Sequence, residues 1–393
     1  MSKINDLIKK LCPNGVEYKT LDKVCNINKG KQLNKDGLLS DGMYPVINGG
    51  ITPSGYWNEY NYDENLITIS QGGASAGYIA YQLTKFWAGA HCYVVEDCKN
   101  NIVYKYLYHF LKSKQANLQS SQVGAGIPSV SLKEIYRLKI PLPPVEIQEE
   151  IVQILDKFGE LEAELEAELE ARKSQYEFWR GSLFKQDIDK MVTLETIGDV
   201  TKLAGFEFSE YVNYSDDGNI IALRGLNVKN GHLVLDDVKY VDNSDFSKLN
   251  RSKLYENDIL YTYVGTVGQV GLVDKNDKYY LAPNVARIRI FDEKVNPKYV
   301  MHYLLTNEFK ANQLDALSGT SSMKNITMTN IRKFKIPVPS LEKQNRIVNI
   351  LDKFDKLVND ITVGLPAEIE LRRKQYEYYR NKLLSFEELS VSE

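Results

Sequence analysis

No stretch of this 393-residue chain approaches 18 uninterrupted apolar residues, which excludes an ordinary membrane-spanning helix. The amino terminus lacks the charged, apolar and small-residue regions of a secretory signal, so a soluble, cytoplasmic protein is expected. Cysteine is scarce. Its four residues (Cys12, Cys25, Cys92, Cys98) fall in the first quarter without a C-x-x-C pair, which points to free buried thiols rather than disulfides or zinc. The four histidines (His91, His109, His232, His302) have no ligand-like spacing and read as packing residues. There is no G-x-x-x-x-G-K-[ST], no G-x-G-x-x-G and no H-E-x-x-H. An amino-methyltransferase would need Asn/Asp-Pro-Pro-aromatic to hold the exocyclic amine, and the chain has none. Its Pro143-Pro144 pair sits between Leu142 and Val145. These absences predict a protein that binds and does not catalyse, with no catalytic residue, metal or cofactor of its own.

The excess of one charge is also missing: the formal net charge is −3. The total conceals a division along the chain. Residues 1–145 hold 16 Lys+Arg against 11 Asp+Glu, net +5, while residues 146–185 hold 5 against 11, net −6. Residues 186–340 (19 against 20) and 341–393 (9 against 10) are each net −1. The first globular stretch is modestly basic and much of the acid lies elsewhere, so charge permits nucleic-acid binding without demonstrating it.

What is present in quantity is helix. After Pro141, Pro143 and Pro144, the apolar residues Ile147, Ile151, Ile154, Phe158, Leu161 and Leu165 step by 4, 3, 4, 3, 4, the spacing of a coiled-coil seam. Leu-Glu-Ala-Glu then repeats from Leu161 and Leu165, followed by Leu-Glu-Ala-Arg up to Arg172. These are strong helix formers, and some 40 residues at about 1.5 Å each predict a rod of roughly 60 Å.

The chain also repeats itself. Lys139-Ile-Pro-Leu-Pro-Pro-Val-Glu-Ile-Gln148 returns 196 positions later as Lys335-Ile-Pro-Val-Pro-Ser-Leu-Glu-Lys-Gln344. Ile154-Leu-Asp-Lys-Phe158 returns at the same offset as Ile350-Leu-Asp-Lys-Phe354. Arg172-Lys-Ser-Gln-Tyr-Glu-Phe-Trp-Arg180 returns at an offset of 200 as Arg372-Arg-Lys-Gln-Tyr-Glu-Tyr-Tyr-Arg380, so the second rod carries four extra residues. They fall near Thr362-Val-Gly-Leu-Pro366, where Pro366 should kink or break it. Its stripe is Ile347, Leu351, Phe354, Val358, Ile361 and Leu365. More faintly, Lys105-Tyr-Leu-Tyr-His-Phe-Leu111 matches Lys298-Tyr-Val-Met-His-Tyr-Leu304, a helix start. The strand 65–70 running into Gln71–Gly77 matches 258–263 running into Val264–Gly268.

The expected fold is α+β: two pseudo-repeated globular domains, 1–144 and 186–340, joined by two long helices, 145–185 and 341–393, paired as an antiparallel coiled coil.

The candidate ligand-binding residues lie in the glycine turns and the polar strands beside them. In the first globe they are Asn48, Gly49, Gly50, Ser54, Tyr56, Ser70, Gln71, Gly72, Gly73, Ser75 and Tyr78. In the second they are Arg224, Asn227, Tyr261, Tyr263, Thr266 and Gln269. Glycine lets the backbone approach a phosphate, while Gln, Asn and Arg form paired contacts to base edges. Taken singly, the same glycines would only tighten hairpins and the tyrosines would only cap a core. As a set recurring in both halves, they suggest a shared binding edge.

End to end, the chain resembles the specificity subunit of a Type I restriction–modification enzyme. The resemblance rests on the twice-used Lys-Ile-Pro-[Leu/Val]-Pro entry, the Ile-Leu-Asp-Lys-Phe helix starts and the Gln-Tyr-Glu helix ends. Cys12-Pro-Asn-Gly-Val-Glu-Tyr18 and Phe86-Trp-Ala-Gly-Ala-His-Cys-Tyr93 add to it. It implies that each globe is a target recognition domain reading half of a split, asymmetric site in double-stranded DNA. It implies too that the helices set the gap and dock two methyltransferase subunits, which carry S-adenosylmethionine. A restriction/translocase subunit using ATP and Mg would complete the complex. Two other readings stand beside it: a single-chain DNA methyltransferase or nuclease with its own active site, and a purely structural coiled-coil adaptor.

Overall fold

The computed structural model describes residues 2–34, 38–99, 101–120, 128–185, 191–202, 210–315, 325–360 and 362–389. It divides into two compact units, Met1–Glu166 with Glu368–Glu393, and Ala167–Ala367. Each unit is a globe with parts of two long helices.

The two globes are built alike. In the first, an antiparallel sheet runs in the order Asn26–Lys29, Cys92–Glu96, Leu66–Ser70, Ile79–Gln82. In the second, the order Gly198–Lys202, Val285–Ile290, Ile259–Thr262, Val270–Leu272 repeats it strand for strand. A three-stranded sheet accompanies each. Tyr44–Ile47 pairs antiparallel with Tyr56–Trp57 and parallel with Trp87–Ala88. Ile221–Leu223 pairs in the same two senses with Lys239–Tyr240 and Tyr279–Leu281. Finally Lys139–Leu142, the strand form of the repeated Lys-Ile-Pro entry, pairs with Glu17–Thr20, and its copy Lys335–Pro337 pairs with Met191–Thr193. Proline is tolerated there because these ladders have only two strands, so one edge needs no N–H donor.

The expected first rod is one helix, Val145–Phe184. Its early apolar face differs from a simple seam. Ile147, Ile151 and Leu155 are fully buried in the core of the first globe, whereas Ile154 is only partly buried and Leu161 is 36% exposed. The first turns touch a globe as well as a helix, so the apolar surface is wider than a two-residue seam and takes in Leu155.

The second rod is broken as its sequence predicts. One helix spans Leu341–Asn359, capped by Ser340, and the next spans Leu365–Leu383 with Pro366 in its first turn. Gly364 closes the break. A Cβ there would lie 2.6 Å from the carbonyl oxygens of both Lys356 and Asp360, so no other residue fits. Ile361, a member of the expected stripe, lies outside the described residues.

Within each unit the helices pair antiparallel. In the first, Phe158 meets Tyr376 (6.2 Å between centroids) and stacks on Tyr379 (5.5 Å), and Arg373 binds Glu162 (2.6 Å) and Glu166. In the second, Tyr176 stacks on Phe354 at 6.0 Å. The twice-used Tyr of Gln-Tyr-Glu thus meets the twice-used Phe of Ile-Leu-Asp-Lys-Phe. Arg180 and Arg380 lie over the faces of Tyr176 and Tyr376 in turn. No helix among the described residues is long and apolar enough to cross a membrane.

Candidate nucleic-acid interface

The repeated sequence motifs become repeated polar joints between globe and helix. Gln148 is fully buried: its Oε1 accepts from Val103 N (2.8 Å), and its Nε2 donates to Asn101 O (3.0 Å) and Pro143 O (2.8 Å). Gln344, equally buried, does the same with Asn296 N, Lys294 O and Pro339 O. Asp156 pairs with His109 (2.9 Å) and Lys105 (2.6 Å), and Asp352 pairs with His302 (3.0 Å) and Lys298 (2.9 Å). Burial holds His109 below the usual imidazole range, outweighing the pull of Asp156. The carboxyl of Asp352 sits below its ordinary range: burial opposes this, but the bonds from His302 and Lys298 prevail. His109 and His302 are therefore buried, hydrogen-bonded members of these joints and not merely packing residues.

The glycine turns form a second repeated device, which gathers most of the candidate residues. Gly73 (φ +84°) and Gly265 (φ +79°) sit at equivalent hairpin tips, where an added Cβ would meet nothing within 4 Å. At the hairpin bases, Gly77 and Gly268 press on a leucine of the next helical segment. A Cβ there would lie 3.1 Å from Leu118 and 2.6 Å from Leu314. Each hairpin is also gripped from the other side. Val130 N donates to Gln71 O (2.8 Å) and Ile326 N donates to Tyr263 O (3.0 Å). Both hairpins are thus anchored at the base and open on the Cβ side of the tip glycine, although Gly73 N itself donates to Pro128 O (2.9 Å). The amide oxygens of Gln71 and Gln269 are buried without a partner among the described residues.

In the first globe the Asn48–Gly50 turn joins this hairpin. Asn48 Oδ1 accepts from His91 N (2.9 Å), and a Cβ on Gly49 would lie 2.7 Å from Gly72 O. Gly50, Ser70 and Tyr78 line one cleft of about 160 Å³. Lys112 lies 4.5 Å from the centre of the Tyr78 ring, and burial pushes its amine down to about 8. Ser54 is exposed, Ser75 half-buried, and Tyr56 39% exposed on its short edge strand.

The second globe is less uniform. Thr266 is exposed at the tip, and its carbonyl accepts from Thr262 Oγ1 (2.5 Å). Tyr263 is buried beneath it with Lys202 over its ring. Tyr261 is fully buried against Phe334, and Asn227 is fully buried with its amide donating to Val234 O and Asp237 O. Neither side chain reaches the surface, because their hydrogen-bonding and apolar faces are used inside the domain. Arg224 is likewise engaged: its Nη2 donates to the carbonyl and the carboxylate of Asp237, each at 2.8 Å. The paired donor geometry that suggested a guanine contact is spent on holding its own loop closed. Among the described residues no group of three or more His, Cys, Asp or Glu could hold a metal ion.

Two elements have no place in the sequence expectation. The glutamines Gln148 and Gln344 are visible in the aligned repeats, but there they read only as part of a helix entry. The hairpin Val228–Leu233 of the second globe has no counterpart among the described residues of the first. Its signal is the dipeptide Asn230-Gly231, which favours a two-residue type I′ turn, and both residues have positive φ (+49° and +94°).

The family described as "Type I restriction modification DNA specificity domain" matches this chain twice, over residues 13–171 and 190–371. A Haemophilus influenzae chain named for the specificity subunit of a type I restriction enzyme is 31% identical over 385 residues, covering 94% of this chain and 96% of that one. The specificity subunit of an Escherichia coli type I restriction enzyme is 33% identical over 310 residues, covering 75% of this chain and 74% of that one. The crystal structure of the S subunit from a M. genitalium type I restriction–modification system shares the fold. Its TM-score is 0.58 at 16% identity, with 94% of this chain and 96% of that one covered. The duplicated sheets, the duplicated helix joints and the double family match agree, and the chain belongs to the specificity subunits of Type I restriction–modification enzymes.

Proposed function

We propose that each globe reads one half of a bipartite, asymmetric site in double-stranded DNA, while the helices set the gap and dock two methyltransferase subunits. The carrying observation is the anchored hairpin with an open glycine tip, built twice from the same sheet order. A tip with no Cβ and open space beside it, fixed at the base, lets the backbone approach a phosphate closely, while the flanking Gln71, Ser75, Thr266 and Gln269 suit base edges. In this reading the chain itself does no chemistry. S-adenosylmethionine belongs to the methyltransferase subunits, and ATP with Mg to a translocase subunit.

The test is to co-express the chain with its methyltransferase subunit and sequence the methylated sites. Thr266→Ala combined with Gln269→Ala should relax or change one half-site only, with a loss of about 1–3 kcal/mol in discrimination per lost base contact. Ser75→Ala with Gln71→Ala should do the same at the other half. A motif unchanged by both pairs, in folded protein, removes these turns as readers.

The partner surface is supported by a second repetition. Phe178 is 67% exposed and Tyr378 61% exposed, at matching places in the Gln-Tyr-Glu helix ends. Large exposed rings at equivalent positions fit two copies of one partner, and such anchors typically contribute about 2 kcal/mol or more each. Phe178→Ala and Tyr378→Ala should each reduce the complex to one methyltransferase copy by native mass spectrometry, and the double variant to none. Full occupancy in the double variant would place the docking elsewhere.

A further inference from the structure

Among the described residues, the hairpin Val228–Leu233 occurs in the second globe alone, and it ends on a contact without a counterpart in the first. His232 Nε2 lies 2.9 and 3.1 Å from the two carboxylate oxygens of Asp355. Asp355 also accepts from Asn359 Nδ2 (2.9 Å) and from the Tyr176 hydroxyl (3.3 Å). The residue matching Asp355 in the first repeat is Gly159, which can make no such contact. The tyrosine matching Tyr176 is Tyr376, whose hydroxyl sits 3.2 Å from His109 Nδ1. Tyr176 bonds Asp355 instead, and His302 Nδ1 is buried with no partner among the described residues. An added hairpin, a carboxylate in place of glycine and a redirected phenol thus occur together in one half.

The hairpin is connected to the reading turn. Gly231 N donates to Val270 O (2.8 Å), and Leu272 N donates to Gly231 O (3.3 Å). Val270–Leu272 is the strand that leaves the Tyr263–Gly268 turn directly after Gln269. The hairpin and the helices Pro297–Leu304 and Leu341–Asn359 line a cavity of about 920 Å³, while at the hairpin tip Gly231 packs directly on Met301 and Leu305. His232 bridges that space.

We propose that His232 and Asp355 form a latch that positions the hairpin, and through it the second reading turn, so that recognition of the second half-site alone responds to pH. The inference rests on the DNA-reading role assigned above. The direction follows from the groups around the imidazole. Its bond to Asp355 raises His232 above the usual imidazole range; Asp352 adds to this, while burial and Arg180 of the long helix oppose it. Asp355 sits below its ordinary range. Burial opposes that, but the bond from His232 prevails, with Asn359 adding to it. Lys298 and His302 from one helix, Lys356 from the other, Asp360 just beyond it and Lys229 on the hairpin itself also face the cavity, as do Asp236, Glu256 and Asp274 from the globe. Because His232 is raised on folding, its contribution is complete below about pH 6.5 and lost as pH rises through the elevated value. The latch is therefore tight below about pH 6.5 and loosens as pH rises through the elevated value.

The experiment uses the full chain with its methyltransferase subunit. Hydrogen exchange, corrected for intrinsic rates, should show protection of the 228–233 amides falling about two- to fivefold between pH 6 and 8.5, the scale of one half-exposed ion pair. Mismatch discrimination should fall with it at the second half-site and stay constant at the first. His232→Ala and Asp355→Gly should hold the high-pH behaviour at every pH. His232→Gln, a donor that does not titrate, should restore protection without the pH dependence. Protection that is flat with pH in the native chain, or His232→Ala behaving like the native chain at pH 6, overturns the latch while leaving the DNA-reading role intact. Loss of both half-sites together in native protein would count against that role instead.

Discussion

Alanine at Gln148 or Gln344 should lower the stability of the unit that carries it by about 3 kcal/mol, the largest effect expected of any single substitution described here. Each side chain is fully buried and makes three hydrogen bonds, all to backbone. Truncation strands one N–H and two carbonyls where the globe meets its helix. An orphaned buried polar group costs about 1–3 kcal/mol, and water entering the new space recovers part of the total. Glutamine is suited to the joint because one amide donates twice and accepts once without bringing a charge inside. Urea unfolding followed by hydrogen exchange would locate the loss. Gln148→Ala should weaken protection in residues 1–166, and Gln344→Ala in residues 167–367. A loss below about 1 kcal/mol, or equal loss in both units, would show that the joint is not what binds globe to helix.

Deleting Leu161–Glu164 should change the gap between half-sites and leave both half-sites as they are. Four residues remove about 6 Å of helix at roughly 1.5 Å each. One turn of DNA is about 34–36 Å for 10–10.5 base pairs, so this is slightly under two base pairs. The deleted segment leaves no hole. Leu161 is 36% exposed, and the tetrad repeat brings Leu165 into its place. Arg373, which now binds Glu162 and Glu166, meets Glu166 and Glu170 in the shortened helix, so the ion pairs re-form in register. Rotation is less well matched. Four residues turn the helix by a net 40° or so, while two base pairs turn by about 70°. The break at Gly364 can absorb part of the difference and reduce the shift to one base pair. Sequencing methylated sites from a methylation-deficient host decides the matter. A shorter gap with intact half-sites supports the ruler; an unchanged gap or altered half-sites defeats it.

Local chemistry makes several features legible in the chain before it folds. The tetrads specify helix at every position, Gly364 with Pro366 specifies a stop, and the glycine turns specify hairpins, each through interactions spanning a few residues. Repetition adds more than any single motif, because two occurrences of Lys-Ile-Pro, Ile-Leu-Asp-Lys-Phe and Gln-Tyr-Glu place two similar bodies in one chain. The roles of individual side chains are a different matter. Arg224, Asn227 and Tyr261 have the chemistry of base readers, but their partners Asp237, Val234 and Phe334 are chosen by packing. Leu155 displaces Ile154 from the core for the same reason: a helix touching two surfaces buries more than its seam. The latch lies furthest from view, since His232 and Asp355 are 123 positions apart and neither is unusual alone. The duplicated plan, the helices and the turns could therefore be read from residue order, because the energies that form them are local. Which polar groups face water and which hold the fold could not, because burial and hydrogen-bond partners are supplied by residues distant in the chain.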